Sequence, residues 1–208
     1  MRKRLLPALL ILALVSPARA DSYEEALAAA RLGPTNDLVR LLNRGLDPDT
    51  VDEQGNTLLI LAAREGNLSA VEALIQRRAK LSARNLAGDS ALMLAALKGE
   101  EPVVRRLLAA GAPVNHAGWN PLLYAAFEGR LEILELLLAQ GAAVDARAPN
   151  QATALMLAAR NGHIEVVRRL LKAGADTALV NDQGLTAEQW ALNNGNSDIA
   201  DLIRTARR

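Results

Sequence analysis

The chain has 208 residues, half of them hydrophobic, with 24 Lys and Arg, 23 Asp and Glu, and no cysteine. The lack of cysteine excludes a disulfide framework, a Cys-based zinc site and a thiol nucleophile. Residues 1–20 hold four basic residues and no acidic one, so residues 21–208 carry a formal net charge of −3, which argues against a nucleic-acid-binding surface.

The N-terminal segment predicts export. A basic start is followed by an apolar run over residues 5–15, which is too short to span a bilayer comfortably. Ala18 and Ala20 form the small-x-small pattern of a cleavage site, so we predict a signal peptide over 1–20, cut after Ala20. The alternative is an uncleaved membrane anchor. We expect a bacterial periplasmic location and no stable membrane insertion after signal removal.

A phrase then repeats along the chain at a nearly constant interval. It opens with a hydroxyl or amide residue, continues with mostly apolar or small residues, and reaches a glycine nine residues after its first position. The opening residues are spaced by 33, 30, 33 and 33 positions, at Thr57, Ser90, Asn120, Thr153 and Thr186. Each phrase predicts an N-cap, a short first helix that ends at the glycine, and a second helix with apolar residues at helical spacing.

Two short helices are marginal alone in water, so the repeated period predicts a stacked array in which each unit covers its neighbour. The third unit is three residues shorter than its neighbours, and the missing residues fall between Val114 and Asn120. Ser22 with Glu25 is predicted to form a capping box that opens the first helix. We divide residues 21–208 into six units: 21–53, 54–86, 87–116, 117–149, 150–182 and 183–208.

The phrases NPLLYAAFEGRLEILELLLAQGAAVDA and TALMLAARNGHIEVVRRLLKAGADTAL resemble the ankyrin repeat family, and the resemblance covers nearly all of the chain after residue 21. It implies an all-α solenoid of helix–turn–helix units joined by hairpin-like loops, here in an exported bacterial protein. The sequence departs from the family at Arg78, which stands where Gly111, Gly141 and Gly174 stand in other units. Either this arginine adopts the helix-ending conformation or the turn is distorted.

No motif for catalysis or for metal binding is present, so the sequence predicts no enzyme, no metal and no cofactor. His163 follows a glycine at the entry to a second helix, where we expect a structural role in packing and local hydrogen bonding. His116 lies in the shortened hairpin without a second histidine or an obvious carboxylate partner. An enzyme hidden in the groove would require a metal or small ligand near His116, and this alternative stays open.

The resemblance implies that another protein binds to the concave face, formed by hairpin tips and first-helix ends. Three of the five aromatic residues lie within nine residues of one another, and large aromatics are typical binding anchors. Tyr124 occupies a slot filled by leucine in other units and is expected in the core. Trp119 either projects as an anchor or folds back to plug the short hairpin. The predicted partner-binding residues are Trp119, Phe127, Leu97, Leu86, Lys98, Glu128, Asp89, Arg160, Asn161 and Arg64.

The sequence therefore predicts a monomeric, non-enzymatic protein–protein interaction scaffold in the periplasm. One alternative is a structural array that assembles with itself. Another is a protective or inhibitory partner of a periplasmic protein, which neutralises a toxin or supports an enzyme.

Overall fold

The computed structural model describes the backbone of residues 17–206 and the side chains from Ser22 onward. Most of the predicted signal peptide, residues 1–16, lies outside the described residues. Across the described part, no helix is long and apolar enough to cross a membrane. Twelve helices follow one another there as six pairs: α1 (Pro17–Arg31) and α2 (Thr35–Asn43), α3 (Leu58–Arg64) and α4 (Leu68–Gln76), α5 (Ala91–Lys98) and α6 (Glu101–Ala109), α7 (Pro121–Phe127) and α8 (Leu131–Ala139), α9 (Ala154–Asn161) and α10 (Ile164–Lys172), α11 (Ala187–Asn193) and α12 (Ser197–Ala206).

The pairs stack into two layers. The first helices of the six pairs contact one another in chain order, and the second helices form a parallel layer with the same order. The connections between pairs hold two isolated antiparallel bridges, Val51 with Thr57 and Arg84 with Ser90, and residues 17–206 form no β-strand. The prediction of an all-α solenoid of helix–turn–helix units is confirmed.

Five predicted N-caps start the first helices of pairs two to six. Each cap side chain accepts a hydrogen bond from the backbone N–H three residues later, which satisfies a donor that the helix leaves unpaired. Four of the five caps are buried, so without this bond a polar group would be desolvated and unpaired. The caps are Thr57, Ser90, Asn120, Thr153 and Thr186.

The first helices are short and almost wholly buried. The seven-residue helix α3 buries residues 58–63, each no more than 1% exposed. Helices of this length are not stable alone in water. Their stability comes from the first helices on either side, which remove the remaining apolar surface from water.

The turns within the last two pairs also contact the preceding pair. His163 donates from Nε2 to the backbone oxygen of Phe127 at 2.9 Å, and its ring lies against Gly129, where an added Cβ would be 2.6 Å from Nδ1. Asn196 occupies the same slot one unit later and donates to the backbone oxygens of Ala159 and Arg160 at 2.9 Å. His163 therefore has the structural role expected of it.

Two local expectations have opposite outcomes. Helix α1 already begins at Pro17, so Ser22 lies inside the helix and the predicted capping box with Glu25 is wrong. Proline is favoured in the first turn of a helix, and the alanines and arginine that follow are good helix formers. The shortened connection is confirmed, since 11 residues separate α6 from α7 whereas 14 separate α4 from α5 and α8 from α9.

Arg78 adopts the left-handed conformation that glycine adopts in the other units. Its φ is +60°, against +85° at Gly111 and +84° at Gly174. The turn is thus preserved, although a side chain with a Cβ costs about 1–2 kcal/mol in this region. Gln151 has a φ of +61° and is a second such position, which the sequence did not indicate.

We expect Arg78→Gly to stabilise the array by about 0.5–1 kcal/mol. The substitution removes the free-energy cost of the left-handed conformation in the folded chain, and this gain exceeds the entropic cost of a more flexible unfolded chain. Urea unfolding followed by circular dichroism measures the change. Arg77→Gly is the matched control, since Arg77 has a φ of −88° and the substitution there should destabilise the fold. Equal destabilisation by both substitutions would contradict the strain argument.

Candidate protein-binding surface

One side-chain slot recurs at the end of every first helix. It lies seven residues after the N-cap, and its four central members stand side by side because α3, α5, α7 and α9 pack in that order. All four side chains are half-buried, so each is supported by the fold and still reaches the surface. We call Arg64, Leu97, Phe127 and Arg160 the inner row.

Three aromatic rings cluster at the middle of the inner row. The indole of Trp119 stacks on Tyr124, with 4.8 Å between ring centroids and 24° between planes. It also meets Phe127 edge to face, at 6.1 Å and 89°. Trp119, Phe127 and Leu97 are half-buried and pack against the core. The fold therefore brings together three of the residues predicted to bind a partner.

Tyr124 differs from its prediction. It was expected in the core because leucine fills its slot in other units, yet it is half-buried and its hydroxyl donates to Asp89 Oδ1 at 2.9 Å. A phenol is longer than a leucine side chain and needs a hydrogen-bond partner, which Asp89 supplies from the connection before α5, one repeat earlier. Burial, together with this hydrogen bond and the carboxylate charge, raises the pKa of Tyr124 far above 10.0.

A cavity of about 250 Å³ lies beside Trp119. Its lining includes Asp89, Trp119 and Pro149 from three successive connections and Tyr124 from α7, so the cavity lies beside the shortened connection. Trp119 lines this cavity and also packs against the core. The indole thus neither projects freely nor is buried completely: it packs against the core and borders the cavity.

Arg160 extends the aromatic cluster into the last two pairs. Its guanidinium carbon lies 5.5 Å from the Phe127 ring centroid and 4.9 Å from that of Trp190. Trp190 belongs to α11 and is 9% exposed, so it is part of the core. Arg160 Nε donates to Asn161 Oδ1 at 2.9 Å, and Asn161 Nδ2 donates to the backbone oxygen of Phe127 at 2.8 Å.

Arg160 and Asn161 are predicted partner-binding residues, but the sequence analysis does not predict this network between them. Phe127 and Arg160 are 33 residues apart in the same slot, so the period itself indicates that the two side chains are neighbours. The position of Trp190 against the guanidinium depends on side-chain conformation, which the period does not indicate.

The other predicted site residues surround this centre. Lys98 and Glu128 are exposed at the ends of α5 and α7. Leu86 is 82% exposed in the connection before α5, where its N–H donates to the Gln54 backbone oxygen at 3.0 Å. Arg64 lies two first helices away from Phe127, and its Nε is 2.8 Å from Glu65 Oε1. Leu86 and Arg64 therefore belong to the periphery of the surface.

His116 has an environment unsuited to a metal ion. Its ring contacts the Arg84 guanidinium and the backbone oxygen of Ala117. Burial, with the nearby Arg84 charge, lowers the pKa of His116. A second cation beside Arg84 would be repelled, and no group of three or more potential ligands is assembled within the described residues.

Spectrophotometric titration should separate the two tyrosines. In Tyr23→Phe the remaining Tyr124 should ionise far above 10.0, whereas in Tyr124→Phe the remaining Tyr23 should ionise closer to that value. Asp89→Asn should lower the Tyr124 pKa, because it removes the carboxylate charge. Since the folded chain keeps the Tyr124 proton longer than the unfolded chain, its contribution to stability is complete below 10.0 and is lost as pH rises through the folded pKa. Coincident titration of both tyrosines would contradict the geometry.

Comparison with known proteins places this architecture in a family. Over 81 residues the chain is 40% identical to NF-kappa-B inhibitor alpha of Sus scrofa, a match that covers 36% of this chain and 26% of that protein. It is 36% identical over 85 residues to the B-cell lymphoma 3 protein homolog of Mus musculus, covering 40% of this chain and 19% of the relative. A third match, to palmitoyltransferase AKR1 of Lachancea kluyveri, is 37% identical over 67 residues and covers 32% of this chain and 9% of that enzyme.

Each match thus spans about a quarter or less of the relative's own length. A family model described as ankyrin repeats, in three copies, matches residues 26–116, 77–148 and 122–206, which together cover most of the chain. Repeats of this kind mediate protein–protein interactions. The chain belongs to the ankyrin repeat family.

Proposed function

We propose that this chain is a non-enzymatic scaffold that binds another protein through the first-helix ends and hairpin tips of its central repeats. The observation that carries the proposal is the cluster of Trp119, Phe127 and Leu97. These large apolar side chains occupy slots that the fold does not bury completely, and Trp119 also lines a cavity of about 250 Å³.

The packing of the cluster supports a role in binding. Trp119 is held by Tyr124 and Phe127, so little side-chain entropy remains to be lost when a partner covers it. Aromatic residues near the centre of an interface commonly dominate its binding energy. Exposed Lys98 and Glu128 flank the cluster and suit the polar rim that surrounds such a centre.

Two narrower roles are compatible with this surface. One relative is named as an inhibitor of NF-kappa-B, which supports the inhibitory or protective role among the narrower proposals for this chain. The self-assembling array remains the second candidate. Its distinguishing property is association of the chain with itself, which light scattering over a range of concentrations measures, whereas the scaffold is expected to be a monomer.

The double variant Trp119→Ala/Phe127→Ala should lose capture of a partner protein from extract of the source cells, because it removes the apolar centre of the surface. Affinity capture followed by mass spectrometry compares it with the original chain. The matched control is Arg105→Ala/Glu132→Ala, on exposed positions of the second-helix layer, which should retain the partner. Thermal melts establish that both variants are folded.

Lys98→Glu provides a second test of the same surface. It leaves the packing of the core unchanged, since Lys98 is exposed. It should weaken capture, because it reverses a charge beside the apolar centre. A partner retained by the aromatic double variant and by Lys98→Glu would move the binding site away from the central repeats.

We also propose that the chain is exported to the periplasm, on the basis of the charge and hydropathy of residues 1–20. Cleavage after Ala20 would remove the first four residues of α1 and leave the repeat packing of α1 from residue 22 onward in place. Expression of the full chain in a bacterial host should yield a periplasmic form that begins at Asp21, as measured by intact mass. Ala18→Arg should block cleavage. A full-length cytoplasmic product from the unchanged chain would contradict export.

A further inference from the structure

The guanidinium of Arg160 is held between two aromatic rings, and this arrangement has no counterpart at Arg64, the other arginine of the inner row. The Phe127 and Trp190 ring centroids lie 5.5 and 4.9 Å from the guanidinium carbon. The hydrogen bond from Nε to Asn161 Oδ1 fixes the rotation of the group. The two rings and the Asn161 side-chain amide together fix the orientation of the planar guanidinium before a partner binds.

The charge of Arg160 is not balanced by the part of the chain that the structure describes. Within residues 22–206, Arg160 forms no ion pair, and only its Nε has a hydrogen-bond acceptor. Its two terminal nitrogens carry four N–H donors, and the side chain is half-buried. Arg64 occupies the same slot in an earlier repeat and already pairs with Glu65 at 2.8 Å. Arg64 and Arg160 thus occupy equivalent positions, but only the charge of Arg64 is balanced by a carboxylate within the described residues.

We propose that Arg160 is the receptor for a carboxylate of the partner protein, an aspartate or glutamate side chain that accepts two parallel hydrogen bonds from the terminal nitrogens. The inference rests on the proposed protein-binding surface and specifies the chemistry of its ligand. Arginine stacked on aromatic rings favours planar, bidentate recognition of carboxylates. A single guanidinium matches the single charge of a carboxylate better than the nearly double charge of a phosphate group, and no second basic side chain joins Arg160 in its network among the described residues.

The fold also sets where the acidic residue stands in the partner sequence. Phe127 and Arg160 lie in the last turns of adjacent first helices, and packed helices lie about 8–10 Å apart. An extended chain advances about 3.3 Å per residue, so about three residues of it cross from one repeat to the next. An extended partner segment should therefore place its acidic residue about three positions from the apolar residue that covers Phe127.

A displayed library of random dodecapeptides, selected against the full chain, tests the inference without requiring the partner protein. The selected peptides should be enriched in an acidic residue about three positions from an apolar one. Synthetic copies of these peptides should bind Arg160→Gln about tenfold more weakly, as expected for loss of a charge-assisted hydrogen-bonded pair. Arg64→Gln is the matched control and should change binding less than about twofold, because its guanidinium is already paired with Glu65.

Two further measurements keep the result independent of folding defects, because Arg160 also covers Trp190. Exchange of Glu for Gln in the peptide should weaken binding to the unchanged chain by the same factor. Arg160→Lys, which keeps the charge and loses the planar donor, should recover only part of the affinity.

The outcomes separate the carboxylate inference from the proposed function. Peptides that bind Arg160→Gln as tightly as the unchanged chain, or that prefer phosphoserine to glutamate at the acidic position, would overturn the carboxylate site and leave the apolar surface intact. Peptides unaffected by Trp119→Ala/Phe127→Ala would overturn the proposed surface itself. Selection of acidic peptides that require both Arg160 and Phe127 would support both.

Discussion

The packing of each first helix against the first helix or helices beside it is the contact on which the array depends. Helix α7 has seven residues and buries five of them, at positions 121–123, 125 and 126. No isolated helix of this length survives in water, so α5 and α9 must cover it from both sides. This requirement leaves few positions free to vary, namely the ends of the first helices and the connections between pairs. A binding surface on this layer must lie there, because the other first-helix slots are already needed for cohesion.

The candidate site arises from small departures at these free positions. Loss of three residues between α6 and α7 opens a cavity, and Trp119 lines it from the shortened connection. Tyr124 replaces leucine and donates a hydrogen bond to Asp89 in the connection before α5, which fixes the ring on which Trp119 stacks. Neither change disturbs the helix layer, since Asn120 still caps α7. The proposed binding surface thus lies at the periphery of a unit whose buried part stays constant.

The elements that could be predicted from the sequence are those controlled by local chemistry and by the period. Asn120 and the other caps were identified because a buried helix start requires a side-chain acceptor, whatever surrounds it. Tyr124 was placed wrongly because slot equivalence reports the position of a Cβ and ignores the length of the side chain. The start of α1 was misplaced because Ser22 and Glu25 satisfy a capping pattern, while the preceding residues also favour helix. The contact of Arg160 with Trp190 depends on side-chain rotamers, which the repeat period does not predict.

The inner row shows how one scaffold slot acquires different chemistry. Arg64 and Arg160 have equivalent backbones, yet one guanidinium meets a carboxylate from the next residue and the other meets two aromatic rings. A partner that approached Arg64 would have to displace Glu65, so the net gain from a new ion pair there would be small. At Arg160 no such competitor exists among the described residues, and the rings reduce the contact of the guanidinium with water. The two arginines in the same slot therefore differ in how available they are to a partner because their neighbours differ. These neighbours are Glu65 in one repeat and Phe127 with Trp190 in the other.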